Sequence, residues 1–140
     1  MTGITTTSAS WALPPVARSV VEARRHVRAA LKGWDLDALS DVAQLLTSEV
    51  VTNSLLHARS AIRLTIEHTK AGVRVAVTDE STVVPAVRPR SPSATTGRGL
   101  LLLSRLADEW DTVVSEGGKT VWFTLKDGSD PWVGAEEVGR

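Results

Sequence analysis

The sequence predicts a two-layer α/β sandwich, in which a mixed, mainly antiparallel sheet of about five strands carries its helices on one face. Three observations point there. Stretches 16–31 and 37–57 repeat their apolar residues at the period of an α-helix. Stretches 61–68 and 73–79 alternate apolar and polar residues, the period of a half-buried strand, and a short turn joins them. A second pair of segments, 110–115 and 119–125, reads as a final hairpin around Glu116-Gly117-Gly118. The chain has 140 residues, enough for one core without disulfides, and it has no cysteine, which excludes thiolate metal sites and cysteine nucleophiles.

Charge and hydropathy narrow the class. Sixteen Lys and Arg balance sixteen Asp and Glu, so the formal net charge is zero, which argues against nucleic-acid binding by bulk electrostatics. No apolar run approaches the ~20 residues of a membrane span. The Thr-rich start has neither a basic nor a long apolar stretch, so no secretion signal is read, and a cytoplasmic domain is expected.

Element by element, residues 1–10 read as a flexible tail, 11–126 as the domain and 127–140 as a polar tail. Trp11-Ala12-Leu13 make a short strand that Pro14 and Pro15 stop. The helix that follows sets Val16, Val20, Ala23, Val27, Ala30 and Leu31 on one stripe. Arg18, Arg24, Arg25 and Arg28 fall mostly off it, and zero net charge favours a solvated face for them. Gly33-Trp34 breaks this helix, and Asp35 or Asp37 is positioned to cap the next. In the 61–79 hairpin, Val73, Val75, Val77 and Asp79 share one face. Residues 80–96, with Pro85, Pro89 and Pro92, form a long loop of the kind that is either a functional lid or a disordered segment, and a lid over the ligand is expected. A helix from about Leu100 to Asp108 and the final hairpin complete the domain.

Three places carry chemistry. Leu45, Glu49, Asn53 and His57 lie four apart along one side of the second helix, beside Leu46 and Val50. Either this row is a wet rim, or Glu49 and Asn53 face a polar ligand, with Asn53 offering an oxygen to a metal. Asp79 ends a strand whose same-face neighbours are valines; it either starts the next turn or points into a pocket and accepts a hydrogen bond from an amine. Gly97-Arg98-Gly99 precedes a helix, where free N–H groups favour an anion such as phosphate, although a hinge has the same composition. A dinucleotide fingerprint fails, because a proline-rich loop precedes the glycines and Leu102 takes the third glycine's place. Gly117-Gly118-Lys119-Thr120 lacks the upstream glycine of a Walker A loop. His26, His57 and His68 suggest no metal cluster.

The order of these pieces is more specific than any one of them. Ser48-Glu49-Val50-Val51-Thr52-Asn53-Ser54-Leu55-Leu56-His57-Ala58 on a helix is followed by a hairpin ending at Asp79. Thr96-Gly97-Arg98-Gly99-Leu100 and Gly118-Lys119-Thr120-Val121 come next. Over about residues 10–126 this resembles the GHKL ATPase superfamily, and within it the anti-sigma-factor serine/threonine kinases.

The resemblance implies a Bergerat-type ATP-binding fold with ATP and Mg²⁺ as cofactors. Glu49 would be the general base for a substrate hydroxyl and Asn53 the Mg²⁺ ligand. Asp79 would accept from the adenine amino group, and Gly97, Arg98, Gly99 and Leu100 would form the phosphate-binding box. Thr120 would support Asp79. The implied activity is phosphorylation of a Ser or Thr on a STAS-type anti-sigma-factor antagonist, with a sigma factor as a further partner, homodimerisation expected, and no direct contact with nucleic acid or membrane.

Two departures stand out. Asp79-Glu80-Ser81 replaces the usual Asp-x-Gly, and Leu56 stands where sensor kinases often carry a basic residue. The alternative reading is a non-catalytic partner-binding module of the same fold, with weak or no ATP binding. A DNA-binding regulator is disfavoured by the charge balance.

Overall fold

A computed structural model of the protein describes residues 7–58, 60–81 and 95–128, with the backbone alone for 95–100. Strand β1 (Ser8–Leu13) leads into helix α1 (Arg18–Gly33), a 3₁₀ turn (Asp37–Leu39) and helix α2 (Ser40–His57). Strands β2 (Ile62–His68) and β3 (Gly72–Asp79) follow, then helix α3 (Thr95–Leu106) and strands β4 (Glu109–Ser115) and β5 (Gly118–Lys126). The five strands form one sheet in the order β1-β2-β3-β5-β4, and each neighbouring pair is antiparallel. The parallel pairing that a mixed sheet allows does not occur among the described residues.

The register explains why one face is covered. Leu13 opposes Ile62, Leu64 opposes Val77, and Val77 opposes Val121, so the buried residues of successive strands stand on the same side of the pleat. Phe123 and Leu125 continue that face, and both are buried. Val27 and Leu31 of α1, Leu39, Val42, Leu46 and Val50 around α2, and Leu103 of α3 join them in a single core cluster. Burying each such side chain contributes roughly 1.5–3 kcal/mol. The other face is polar. Ser10 and Thr65 share a hydrogen bond of 2.8 Å, Arg74 pairs with Glu67 at 3.1 Å, and the Arg74 guanidinium lies 4.9 Å from the centre of the Trp122 ring.

Aromatic stacking ties the first helix to the sheet. Trp11 of β1 stacks on His26 of α1 at 4.1 Å between ring centres, and Trp34, just past α1, stacks on His68 at 5.1 Å. Arg18, Arg24, Arg25 and Arg28 are exposed, as a solvated helix face requires.

Several boundaries differ from expectation. The first strand starts at Ser8, so residues 8–10 pair with β2 rather than belonging to a tail. Val16 is 41 % exposed and precedes the helix instead of lying on its stripe. Neither Asp35 nor Asp37 caps α2. The 3₁₀ turn intervenes, the cap residue is Leu39, and no side chain bonds to the helix start. Helix α3 begins at Thr95, five residues before the expected Leu100. The segment expected to act as a lid falls largely on 82–94, and the C-terminal tail on 129–140, both outside the described residues.

Candidate functional site

Asp79 is the last residue of β3 and keeps the inward orientation of Val73, Val75 and Val77. Its Oδ2 accepts a hydrogen bond from Lys119 Nζ at 2.7 Å, and the two side chains are 1 % and 2 % exposed. Its Oδ1 accepts the backbone N–H of Ser81 at 2.9 Å, the local bond by which Asp often turns the chain. Burying two opposite charges costs several kcal/mol each, and a short charge-assisted bond between them offsets much of that.

Backbone geometry brings Lys119 there. Gly117 adopts φ 85°, which lets the two-residue turn Glu116-Gly117 close the β4–β5 hairpin. A Cβ at Gly118 would collide with the backbone carbonyl oxygen of Asp79. The missing side chain therefore allows β5 to close against the end of β3, with Lys119 opposite Asp79.

Thr120 lies one residue on and faces the other way. Its hydroxyl shares a hydrogen bond of 2.8 Å with that of Thr78, on the polar face of the sheet. The support for Asp79 that the resemblance assigns to Thr120 comes in this structure from Lys119 and the Ser81 N–H. The sequence held the signal for Lys119: it lies two, four and six residues before the inward-facing Val121, Phe123 and Leu125.

On α2 the row of fours divides. His57 is exposed, Leu45 and Glu49 are half-buried, and Asn53 is only 4 % exposed. The wet-rim reading holds for His57 and fails for Asn53. No hydrogen-bond donor among the described residues reaches the Asn53 carbonyl oxygen Oδ1. A buried amide oxygen without a partner costs about 1–3 kcal/mol, so this atom is a candidate for an added ligand. Oxygen is also the donor that Mg²⁺ requires, and Mg²⁺ is usually held by one or two protein oxygens together with substrate phosphates. Asn53 fits that ion. Thr47 Oγ1, also on α2, is likewise buried without a partner, and nothing in the structure explains it.

Glu49 lines a groove of about 340 Å³ whose walls are Arg24 of α1 and Asp41, Gln44, Leu45 and Ser48 of α2. It thus stands one helical turn from Asn53 and open to the outside. Gly97 and Gly99 fall within the first two turns of α3, rather than ahead of it. The first four N–H groups of an α-helix lack intrahelical partners, so Gly97 lies where the backbone offers donors to an anion. Arg98 and Leu100 are also in α3.

The comparisons with known proteins agree with this architecture. The family model described as a histidine kinase-like ATPase domain matches residues 13–125. The chain belongs to that family, whose domains bind ATP, usually with Mg²⁺. Among solved structures, the chain is similar to the histidine kinase domain of the blue-light activated histidine kinase from Erythrobacter litoralis EL346. The TM-score is 0.53 at 16 % identity, covering 96 % of this chain and 70 % of that one. At that identity the likeness concerns the fold. No curated protein matches. Among the described residues, no helix is long and apolar enough to cross a membrane.

Proposed function

We propose that the protein is an ATP-dependent serine/threonine protein kinase that acts in the cytoplasm on a STAS-type antagonist of an anti-sigma factor. The observation that carries the ATP site is the buried, unpartnered Asn53 Oδ1 one turn from the half-buried Glu49. Asp79 accepts from the adenine 6-amino group, the N–H groups around Gly97 and Gly99 hold phosphate oxygens, and Asn53 Oδ1 is the protein ligand for Mg²⁺. The ion, when bound, neutralises phosphate charge. Glu49 takes the proton from the partner's Ser or Thr hydroxyl as its oxygen bonds to the γ-phosphorus and the bond to the β-bridging oxygen breaks. ADP and a phosphorylated partner result. Phosphoryl transfer depends mainly on positioning and charge, so a carboxylate in an open groove beside the metal ligand suits a protein substrate.

Glu49→Ala and Asn53→Ala separate the steps. Glu49→Ala is expected to bind Mg-ATP within a few-fold of wild type in calorimetry and to lose roughly 10²–10⁴ in rate, the usual contribution of a positioned base. Asn53→Ala is expected to lose the Mg²⁺-dependent part of ATP affinity. Labelled ATP incubated with STAS-domain proteins of the host reads the transfer, and wild-type transfer by Glu49→Ala would remove Glu49 from the role of base. One observation favours a second reading, a non-catalytic module of the same fold. Asp79 is already engaged by Lys119 and the Ser81 N–H. Capture of a partner together with weak or no ATP binding supports that reading.

A further inference from the structure

The Asp79–Lys119 pair does more than close the end of the sheet. Its carboxylate and ammonium lie 2.7 Å apart, inward-facing, at the end of β3, where the proposed function sets the adenine base. An ammonium carries three donors, and Asp79 is the one hydrogen-bond partner of Lys119 Nζ among the described residues. The carboxylate has about four lone-pair sites, of which Lys119 and the Ser81 N–H use two. The pair therefore presents spare acceptor capacity beside spare donor capacity. That is the complement of an edge with a donor next to an acceptor, and the 6-amino group and ring nitrogen N1 of adenine form such an edge.

We infer that Lys119 reads the nucleotide base directly, donating to adenine N1 while Asp79 accepts from the 6-amino group. This rests on adenine nucleotide being the ligand, and it assigns to a strand lysine a contact that Thr120 cannot make from the opposite face. Inosine and guanine bear a protonated N1 beside an oxygen and present the reverse order. At a fixed base position they set Lys119 against a donor and Asp79 against an acceptor. Specificity for adenine thus comes from two buried side chains held by each other before the ligand arrives. Such preorganisation lowers the ordering cost of binding.

The test uses ligands in which single ring nitrogens become CH. Calorimetry on the full chain with Mg²⁺ compares ATP, 1-deaza-ATP and 7-deaza-ATP. A hydrogen bond from a charged group corresponds to roughly a 10–100-fold change in affinity. Wild type is expected to lose that much for 1-deaza-ATP and to bind 7-deaza-ATP like ATP. Two neutral variants connect the loss to Lys119 without stranding a buried charge. Asp79→Asn with Lys119→Gln keeps an acceptor and a donor, and is expected to retain discrimination against 1-deaza-ATP. Asp79→Asn with Lys119→Met removes the donor and is expected to bind both ligands alike. Equal binding of ATP and 1-deaza-ATP by wild type overturns the inference while leaving ATP binding intact. A loss confined to 7-deaza-ATP overturns it as well, since the base would then present its other edge. Discrimination that persists in the Met variant removes Lys119 from the contact. If no nucleotide binds at all, the proposed function itself fails.

Discussion

Two neighbouring rungs of the β3–β5 ladder carry polar pairs of different kinds. Asp79 and Lys119 point inward, 1 % and 2 % exposed, and form an ion pair. Thr78 and Thr120, one residue away on each strand, point outward and share a neutral hydrogen bond of 2.8 Å on the polar face. Sequence distance between the rungs is minimal, yet their solvent environments are opposite. The energetic stakes follow the environment. A buried charge that loses its partner has no water to replace it, whereas a half-buried hydroxyl can turn to solvent. The inward rung is therefore where sequence changes register strongly, and it is the rung that faces the proposed base.

The largest effect is expected from splitting the inward pair. Lys119→Met leaves the Asp79 carboxylate buried with the Ser81 N–H as its remaining donor, and the loss is expected to be about 3–5 kcal/mol in urea unfolding. Pairing it with Asp79→Leu removes both charges and is expected to restore most of that stability, because apolar replacements of buried pairs are often neutral or stabilising. A single-variant loss under about 1 kcal/mol would mean the pair behaves like a surface ion pair and the contrast between the rungs is gone.

Gly118→Ala offers a geometric test of the same rung. The added methyl meets the backbone carbonyl of Asp79, which cannot swing away as a side chain would. A loss of about 1–3 kcal/mol, typical of forced overpacking, is expected. The damage should concentrate at the junction of Asp79 and Lys119. Amide chemical shifts by NMR are expected to move at Asp79, Glu80 and Lys119 and to stay in place in β1. Uniform shifts across the sheet would show that the junction is not the point of contact.

The contrast between rungs also shows what was legible in the sequence. The hairpins, the two long helices and the inward face of β3 follow from residue periods, and Asp79 was readable as inward because three valines precede it at period two. Asn53 was readable as a ligand candidate from its spacing to Glu49, but its burial was not. Burial depends on how α1 and α3 pack against α2, which no single helix encodes. Lys119 was readable in principle, since Val121, Phe123 and Leu125 fix its face. Resemblance drew attention to Thr120 instead, and in a strand a shift of one residue exchanges the faces. The start of α3 at Thr95 was missed because a run of prolines and small polar residues reads as loop up to the glycines. The capping aspartates failed because a 3₁₀ turn took up the residues between Asp37 and Ser40.

The smallest expected effect belongs to the outward rung. Thr120→Val keeps the β-branched shape that suits a strand and removes one hydroxyl from a pair that lies on the polar face. The Thr78 hydroxyl left behind can bond to water, so the cost is expected to stay near the ~0.5–1.5 kcal/mol of an ordinary hydrogen bond. ATP affinity is expected to remain within about two-fold of wild type, because the removed group is on the face away from Asp79 and a difference below ~0.4 kcal/mol changes binding by no more than that. The resemblance alone implies a different result: a threonine that supports the adenine-binding aspartate should lose nucleotide when its hydroxyl goes. Calorimetric titration of Thr120→Val with Mg-ATP therefore decides between the implied role and the observed register. A loss of ten-fold or more would mean that the Thr120 hydroxyl supports the nucleotide site, as the resemblance implies, despite facing away from Asp79.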